Sequence, residues 1–171
     1  MTDQTPPGAS LRCDASTPLP ERAAALVRRF NMRPHPEGGW YAEVFRSSSR
    51  VLPDDDRPAR AALTTIDFLL ARGQFSAWHR VRSDEVWHLL EGGPLRLWTL
   101  APAGQQVASV DLDANCRRHV VPAGWWQAAE PLGDFAYVGA TVGPGFDFAD
   151  FAFGRDHPAL RPLLGAQERL L

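Results

Sequence analysis

The sequence predicts an all-β barrel carrying one short helix at its N-terminal end. Three observations lead there. Short segments rich in aromatic and β-branched residues recur from Trp40 to Phe153. Turn-forming clusters separate most of them: PEGG, PDDD, ARG, EGGP, PAGQ, PAGW, PLGD and VGPG. The clearest helical pattern lies ahead of all of them. Many short strands at near-regular spacing close into a sandwich or barrel.

Residues 1–19 are rich in Pro, Ser and Thr without apolar periodicity and are expected to form a loose leader. They precede a domain expected over residues 20–156 and a tail over 157–171. PERAAALVRRF is helical: Pro20 suits a first turn, the alanines have high propensity, and Leu26, Val27 and Phe30 form an apolar stripe. The prolines of RPHP end it. Strands are expected over Trp40–Arg46, Ala62–Leu70, Phe75–Val81, Glu85–Leu90, Leu95–Leu100, Gln106–Leu112, Arg118–Val121, Ala136–Val142 and Phe146–Phe153. In the tail, HPALRPLLGAQERLL suits a short helix after Pro162.

With 171 residues, 44% hydrophobic and 22% charged, the chain suits one packed domain. A formal net charge of -2 offers no long-range attraction to nucleic acid or an anionic membrane. Asp67 and Arg72 interrupt the best apolar run, so no spanning segment is expected. MTDQTPPGAS lacks the features of a secretory signal, which makes a cytoplasmic location the expectation. Cys13 and Cys116 form neither a disulfide framework nor a zinc spacing and are expected as reduced thiols. All 18 basic residues are Arg. The absence of Lys excludes Schiff-base chemistry, pyridoxal phosphate attachment and a P-loop lysine, and leaves Arg or His to contact an anionic ligand.

GQFSAWHRVRSDEVWHLLEGG carries the functional argument. Strand alternation places Phe75, Ala77, His79 and Val81 on one face, with Glu85 and Trp87 returning to the same interior after a turn. A His facing a Glu inside a small barrel is an acid–base or metal-ligand pair. His88 falls on the opposite face and would need a bulge to enter.

Gly73, His79, Glu85 and Gly92 fit G-x5-H-x-H-x3-4-E-x6-G, so the segment resembles the first motif of the cupin superfamily. Pro122-Ala123-Gly124 and Gln127 echo its second motif. More narrowly, HPEGGWYAEVFRS, HRVRSDEVWH, VPAGWWQA and VGPGFDFADF resemble the cupin-5 family of unassigned function, over Asn31 to Phe153. That resemblance implies a double-stranded β-helix, the cupin jelly-roll barrel, commonly dimeric, around a pocket of open chemistry. Cupins span epimerases, isomerases, dioxygenases and storage proteins, so fold alone leaves function open.

Metal-binding cupins typically use three His and one Glu. Here Val81 and Gln127 stand where two of the His would be, leaving His79, Glu85 and Gln127 as a weak set for a divalent ion. No cofactor is therefore expected as obligatory. Further candidates are Tyr41 and Glu43, which share a strand face: either that face is solvated, or it is dry and Glu43 faces an Arg or a ligand, since an unpaired buried carboxylate is costly. Arg46, Arg80 and Arg82 are the nearest cations to pair with Glu43, and Arg60 and Arg96 are further ones. Trp87 and Trp126 are candidate pocket walls, since adjacent Trp125 and Trp126 cannot both face inward. His35 is expected to set the turn into the first strand, in a segment that could also line the pocket mouth; His119 and His157 are surface or turn histidines. The functional expectation is a metal-independent epimerase or isomerase acting on a sugar-like or cyclic polar metabolite. His79 or Glu85 is the base, Tyr137 (if inward) the opposing acid, and Gln127 and His88 further ligand contacts. The alternatives are a non-catalytic binding or sensing module and a weak-metal enzyme.

Overall fold

In a computed structural model of the chain, the structure describes residues 18–104 and 106–171. Most of the expected leader and Cys13 lie outside the described residues. Helix α1, Glu21–Arg29, is followed by thirteen strands. These are β1 (Arg33–Pro34), β2 (Trp40–Arg46), β3 (Arg50–Val51), β4 (Arg60–Ala61), β5 (Thr64–Ala71), β6 (Ser76–Val81) and β7 (Asp84–Gly92). Then come β8 (Leu95–Leu100), β9 (Ala108–Leu112), β10 (Arg118–Val121), β11 (Trp126–Pro131), β12 (Phe135–Gly143) and β13 (Phe151–Phe153). A short helix, α2 (Arg161–Leu164), lies in the tail and runs into a 3-10 turn.

The strands form a six-stranded sheet in the order β1-β2-β5-β12-β7-β10, a five-stranded sheet in the order β13-β6-β11-β8-β9, and a β3-β4 ribbon. All pairings are antiparallel. The all-β expectation with a short N-terminal helix holds. Inward residues of both sheets make the main core: Phe68, Leu70, Trp87, Leu89, Leu95, Leu97, Leu112 and Val138. Along β7 burial alternates, with Glu85, Trp87 and Leu89 inside and Val86, His88 and Leu90 more open, as a half-solvated strand requires.

Helix α1 lays Ala23 and Leu26 on the outer face of the larger sheet, against Leu69 and Tyr137. It ends at Asn31, whose positive φ of 49° suits the short polar side chain of Asn. Leu160, Leu164 and Leu170 of the tail pack onto Trp78 and Trp126 on the outer face of the smaller sheet, so the tail covers an apolar surface of the barrel.

The short strands β1, β3 and β4 fall where no strand is expected, and two longer elements also differ from expectation. β11 pairs with both β6 and β8 at the heart of the smaller sheet, where the sequence suggests no strand. The last expected strand, Phe146–Phe153, is extended only over Phe151–Phe153. Before that, Asp147 accepts the Ala149 N–H at 2.9 Å and tightens residues 148–150 into a 3-10 turn.

Candidate active site

Between the two sheets the barrel encloses a cavity of about 960 Å³. Its floor is a group of buried ionisable side chains from three separate elements. His79 comes from β6, Glu85 from the start of β7, and His35 and Glu37 from the HPEGG turn joining β1 to β2. The turn is held by His35 N–H to Gly39 O and Gly38 N–H to His35 O, both at 3.0 Å. Gly38 adopts a φ of 118°, and a Cβ there would lie 2.1 Å from the Phe75 carbonyl oxygen. Only glycine lets this turn sink against the start of β6, where Ala77 N–H bonds Glu37 O at 2.8 Å.

That descent brings Glu37 to His79. Nδ1 of His79 is hydrogen-bonded to the Ala77 carbonyl oxygen at 2.8 Å and lies 2.6 Å from Glu37 Oε2 as an ion-pair contact. Glu37 Oε2 is left buried without a well-aligned hydrogen bond. The other carboxylate oxygen lies 3.4 Å from His35 Nδ1. His35 Nδ1 accepts the Glu37 backbone N–H at 3.3 Å, which assigns the ring proton to Nε2 and keeps the ring neutral. Burial, aided by the His79 cation, holds His35 below the ordinary histidine range despite Glu37.

The two central groups are displaced in instructive ways. Burial opposes charge on His79, yet the Glu37 carboxylate, Glu85 and the Ala77 carbonyl together lift it to about 9. Burial also works against ionised Glu37, but His79, His35 and nearby hydrogen bonds outweigh it and hold Glu37 below its usual range. The pair is thus an imidazolium–carboxylate. Glu85 is raised by burial and by Glu37, against the pull of His79 and Gln127, to about 7.

Behind the floor runs a neutral chain. The Trp87 indole N–H donates to Gln127 Oε1 at 2.9 Å, and Gln127 Nε2 donates to Glu85 Oε2 at 2.5 Å. One wall is aromatic: Phe146, Phe148 and Phe151 meet edge to face with centroids 5.0, 6.1 and 6.4 Å apart. Phe151 also stacks on His79 at 5.3 Å and 15°. Tyr41, Glu43, Arg33 and Arg46 also line the cavity, and Arg46 donates to the Phe146 carbonyl at 3.0 Å. Arg46 reaches Glu43 Oε2 at 2.7 Å, but both side chains are exposed, so this strand face is solvated and Glu43 carries no burial cost.

The expected site residues therefore divide. His79, Glu85, Tyr41 and Glu43 line the cavity. Tyr137 does not: Ala136 and Val138 of β12 face the core, so Tyr137 points outward beneath α1, its hydroxyl 2.6 Å from Asp67. It is no opposing acid. Gln127 and Trp87 stand behind the floor and do not line the cavity. His88 faces outward on β7, as alternation requires, opposite Gly139 of β12. Trp126 packs against the tail and Arg80, and Trp125 against the main core, so neither lines the cavity. Sequence reasoning missed Glu37 as the partner of His79 and missed the phenylalanine wall. The signal for Glu37 was its place before two glycines, a turn able to approach another strand closely.

The profile of the family described as cupin superfamily (DUF985) matches residues 24–154. This chain belongs to that cupin family. Among solved structures, a hypothetical protein from Leishmania major is 29% identical, with a TM-score of 0.76 over 86% of this chain and 95% of its own. A Shewanella oneidensis protein is 29% identical, with a TM-score of 0.74 over 87% of this chain and 96% of its own. Oxalate decarboxylase from Bacillus subtilis, at 15% identity, aligns with a TM-score of 0.56 over 82% of this chain and 34% of its own, a likeness of fold alone. No curated protein matches the sequence.

Cupin membership raises the metal set His79, Glu85 and Gln127, and the side chains present do not fit it. The one ligating atom of Gln127, Oε1, is taken by the Trp87 indole N–H. His79 keeps only Nε2 for a ligand, and Val81 adds no donor to the lining. Among the described residues, no three His, Cys, Asp or Glu side chains converge in an arrangement to hold a metal ion.

Proposed function

We propose that this cupin is a metal-independent isomerase that moves a proton on a small, ring-shaped polar metabolite such as a sugar. One observation carries the reading: a carboxyl poised near neutrality and a buried imidazolium line the same cavity floor. A base that works near neutral pH must hold and release a proton there, which Glu85 does by virtue of its burial. Ionised Glu85 takes the proton from the carbon beside a ligand carbonyl, and the bonding electrons move onto the carbonyl oxygen. His79 donates its Nε2–H to that enolate oxygen while Glu37 stabilises the imidazolium. Glu85 then returns its proton to the former carbonyl carbon, while the now neutral His79 takes the proton of the adjacent hydroxyl, whose oxygen becomes the new carbonyl. Glu85 is again a carboxylate and His79 an imidazolium, so the balance closes without an oxidant or second substrate.

With Tyr137 outside the cavity, a transfer by one base on one face suits the site better than a two-base epimerisation. The phenylalanine wall offers the flat surface against which a ring packs.

The test starts from a thermal-shift panel of aldoses, ketoses and their phosphates, since a ligand bound to the folded state raises the melting point. Bound ligands are then incubated in deuterium oxide. Deuterium incorporation that disappears in Glu85→Gln supports the reading. A ligand that binds without exchange, unaffected by Glu85→Gln, favours the second reading, a binding or sensing module. The homodimer and the absence of nucleic-acid or membrane partners belong to the same proposal, and sedimentation with and without nucleic acid or vesicles tests them. Among the described residues, no helix is long and apolar enough to cross a membrane.

A further inference from the structure

A glutamine amide can point either of two nearly isosteric ends at a neighbour, one a donor and one an acceptor. Which end meets Glu85 decides whether the carboxylate or the carboxylic acid is favoured at the cavity floor. Gln127 cannot settle this by itself, because either end can satisfy Glu85 in one of its protonation states. Trp87 can: an indole N–H only donates, so the end of the amide facing it must be the oxygen. The 2.9 Å bond from Trp87 to Oε1 therefore forces Nε2 toward Glu85 Oε2, 2.5 Å away. Trp87 and Gln127 are each 1% exposed and lie behind the cavity lining, so water cannot take the place of the bond between them, while Glu85 itself lines the cavity.

We propose that Trp87 is a positioning residue that, through Gln127, holds Glu85 as a hydrogen-bond acceptor at the cavity floor. Its bearing on catalysis rests on the reading of Glu85 as the proton carrier, but the clamp itself does not. The charged groups facing Glu85 are His79 from β6 and Glu37 from the β1–β2 turn. Its cross-strand partners, Val121 and Val142, are apolar. Among the described residues, the Gln127 amide is thus the neutral polar group that bonds this carboxyl. The second motif's metal-ligand position has become a support for a carboxyl group.

The experiment is a carboxyl-carbon NMR titration of Glu85 in the wild type, Trp87→Phe, Gln127→Met and the double variant. Loss of a donor to the carboxylate favours the acid, so each single variant is expected to raise the midpoint by roughly half to one pH unit. The double variant should match Gln127→Met alone, because Trp87 acts only through the amide. An unchanged midpoint in Trp87→Phe, or effects that add in the double variant, would overturn the proposal. Should Trp87→Phe fail to fold, the wild type still decides. The Gln127 side-chain amide and the Trp87 indole N–H should both shift with the Glu85 midpoint. The Trp78 indole, bonded to the Gln167 carbonyl, should not. A Trp87 signal that ignores Glu85 sinks the clamp. If the clamp holds while Glu85→Gln leaves ligand turnover intact, the proton-carrier reading falls and the clamp stands.

Discussion

Glu37 Oε2 lies 2.6 Å from Nδ1 of His79, inside a barrel where neither group meets bulk water. The two residues are far apart in sequence and are joined by a turn that only glycine can form. Each makes the other's charge tolerable: an isolated ion at this depth would neutralise itself. The pair also defines the electrostatic character of the floor, because His79 and Glu37 line the cavity together with Glu85.

Removing the anion should therefore discharge the cation. In Glu37→Gln, burial acts on His79 without its main opposing charge, and the His79 midpoint is expected to fall from about 9 to below its ordinary 6.5. Imidazole nitrogen NMR across pH 5–10 (roughly the accessible range) reads this directly. A His79 that stays protonated at neutral pH in the variant would show that Glu37 is not what holds the charge.

The same shifts set the pH dependence of stability. His79 is raised in the fold, so its contribution is complete below 6.5 and is lost as pH climbs to about 9. Glu85 is also raised, so the folded state binds its proton more readily than the unfolded chain, and stability declines as pH rises from 4.5 to about 7. Glu37 is lowered, so its contribution is lost on the acid side, as pH falls through and below its usual range. Urea denaturation should show stability falling by about 3 kcal/mol between neutrality and the alkaline end from His79 alone. In Glu85→Gln the decline between 4.5 and 7 should give way to a rise toward 6.5, because His35, held below its ordinary range, then acts there unopposed, while the His79 limb remains. A curve that rises with pH over this whole span would contradict both assignments.

The legible part of this protein was the part with strand periodicity. β7 shows its two faces in sequence because one side meets the core and the other is more open, and the same alternation brought His79 and Glu85 together. β11 was hidden for the converse reason. Ala128 packs on the tail side and Ala129 on the main core, so a strand buried on both faces displays neither polar alternation nor β-branched residues. Tyr137 carries plausible chemistry on the wrong parity of β12. Gln127 occupies a ligand position in the motif, but its amide is already committed, and only the location of the Trp87 N–H reveals that.

Gly38 and Gly73 separate backbone strain from steric exclusion. Both have positive φ, 118° and 82°, but a Cβ at Gly38 meets the Phe75 carbonyl while one at Gly73 meets nothing within 4 Å. Gly73→Ala is expected to cost about 1 kcal/mol, the backbone penalty alone. Gly38→Ala must also push the HPEGG turn off β6, and should cost about 3 kcal/mol or more. It should lower the His79 midpoint as well, because Glu37 retreats with the turn. Equal losses from the two substitutions, measured by chemical denaturation, would mean that the turn tolerates displacement.

Asp150 anchors the aromatic wall from behind. Arg60 grips its carboxylate with two bonds of 2.9 Å, and Arg57 adds one of 3.2 Å while also reaching Asp55 and Ser83. The cluster ties the β3–β4 ribbon to the 3-10 turn just ahead of Phe151 and is buried at its centre. Asp150→Asn leaves two guanidinium groups facing a neutral amide, and breaking a buried ion pair from one side costs about 3–5 kcal/mol. Asp134→Asn, which removes the exposed partner of Arg72, is the control and should leave the denaturation midpoint unchanged. Beyond stability, Asp150→Asn should loosen Phe148 and Phe151, so ring-current shifts on the His79 imidazole are expected to collapse toward ordinary values even where the variant remains folded. If the imidazole shifts persist in folded Asp150→Asn, the wall is held by its own packing, and the arginine cluster serves the ribbon alone.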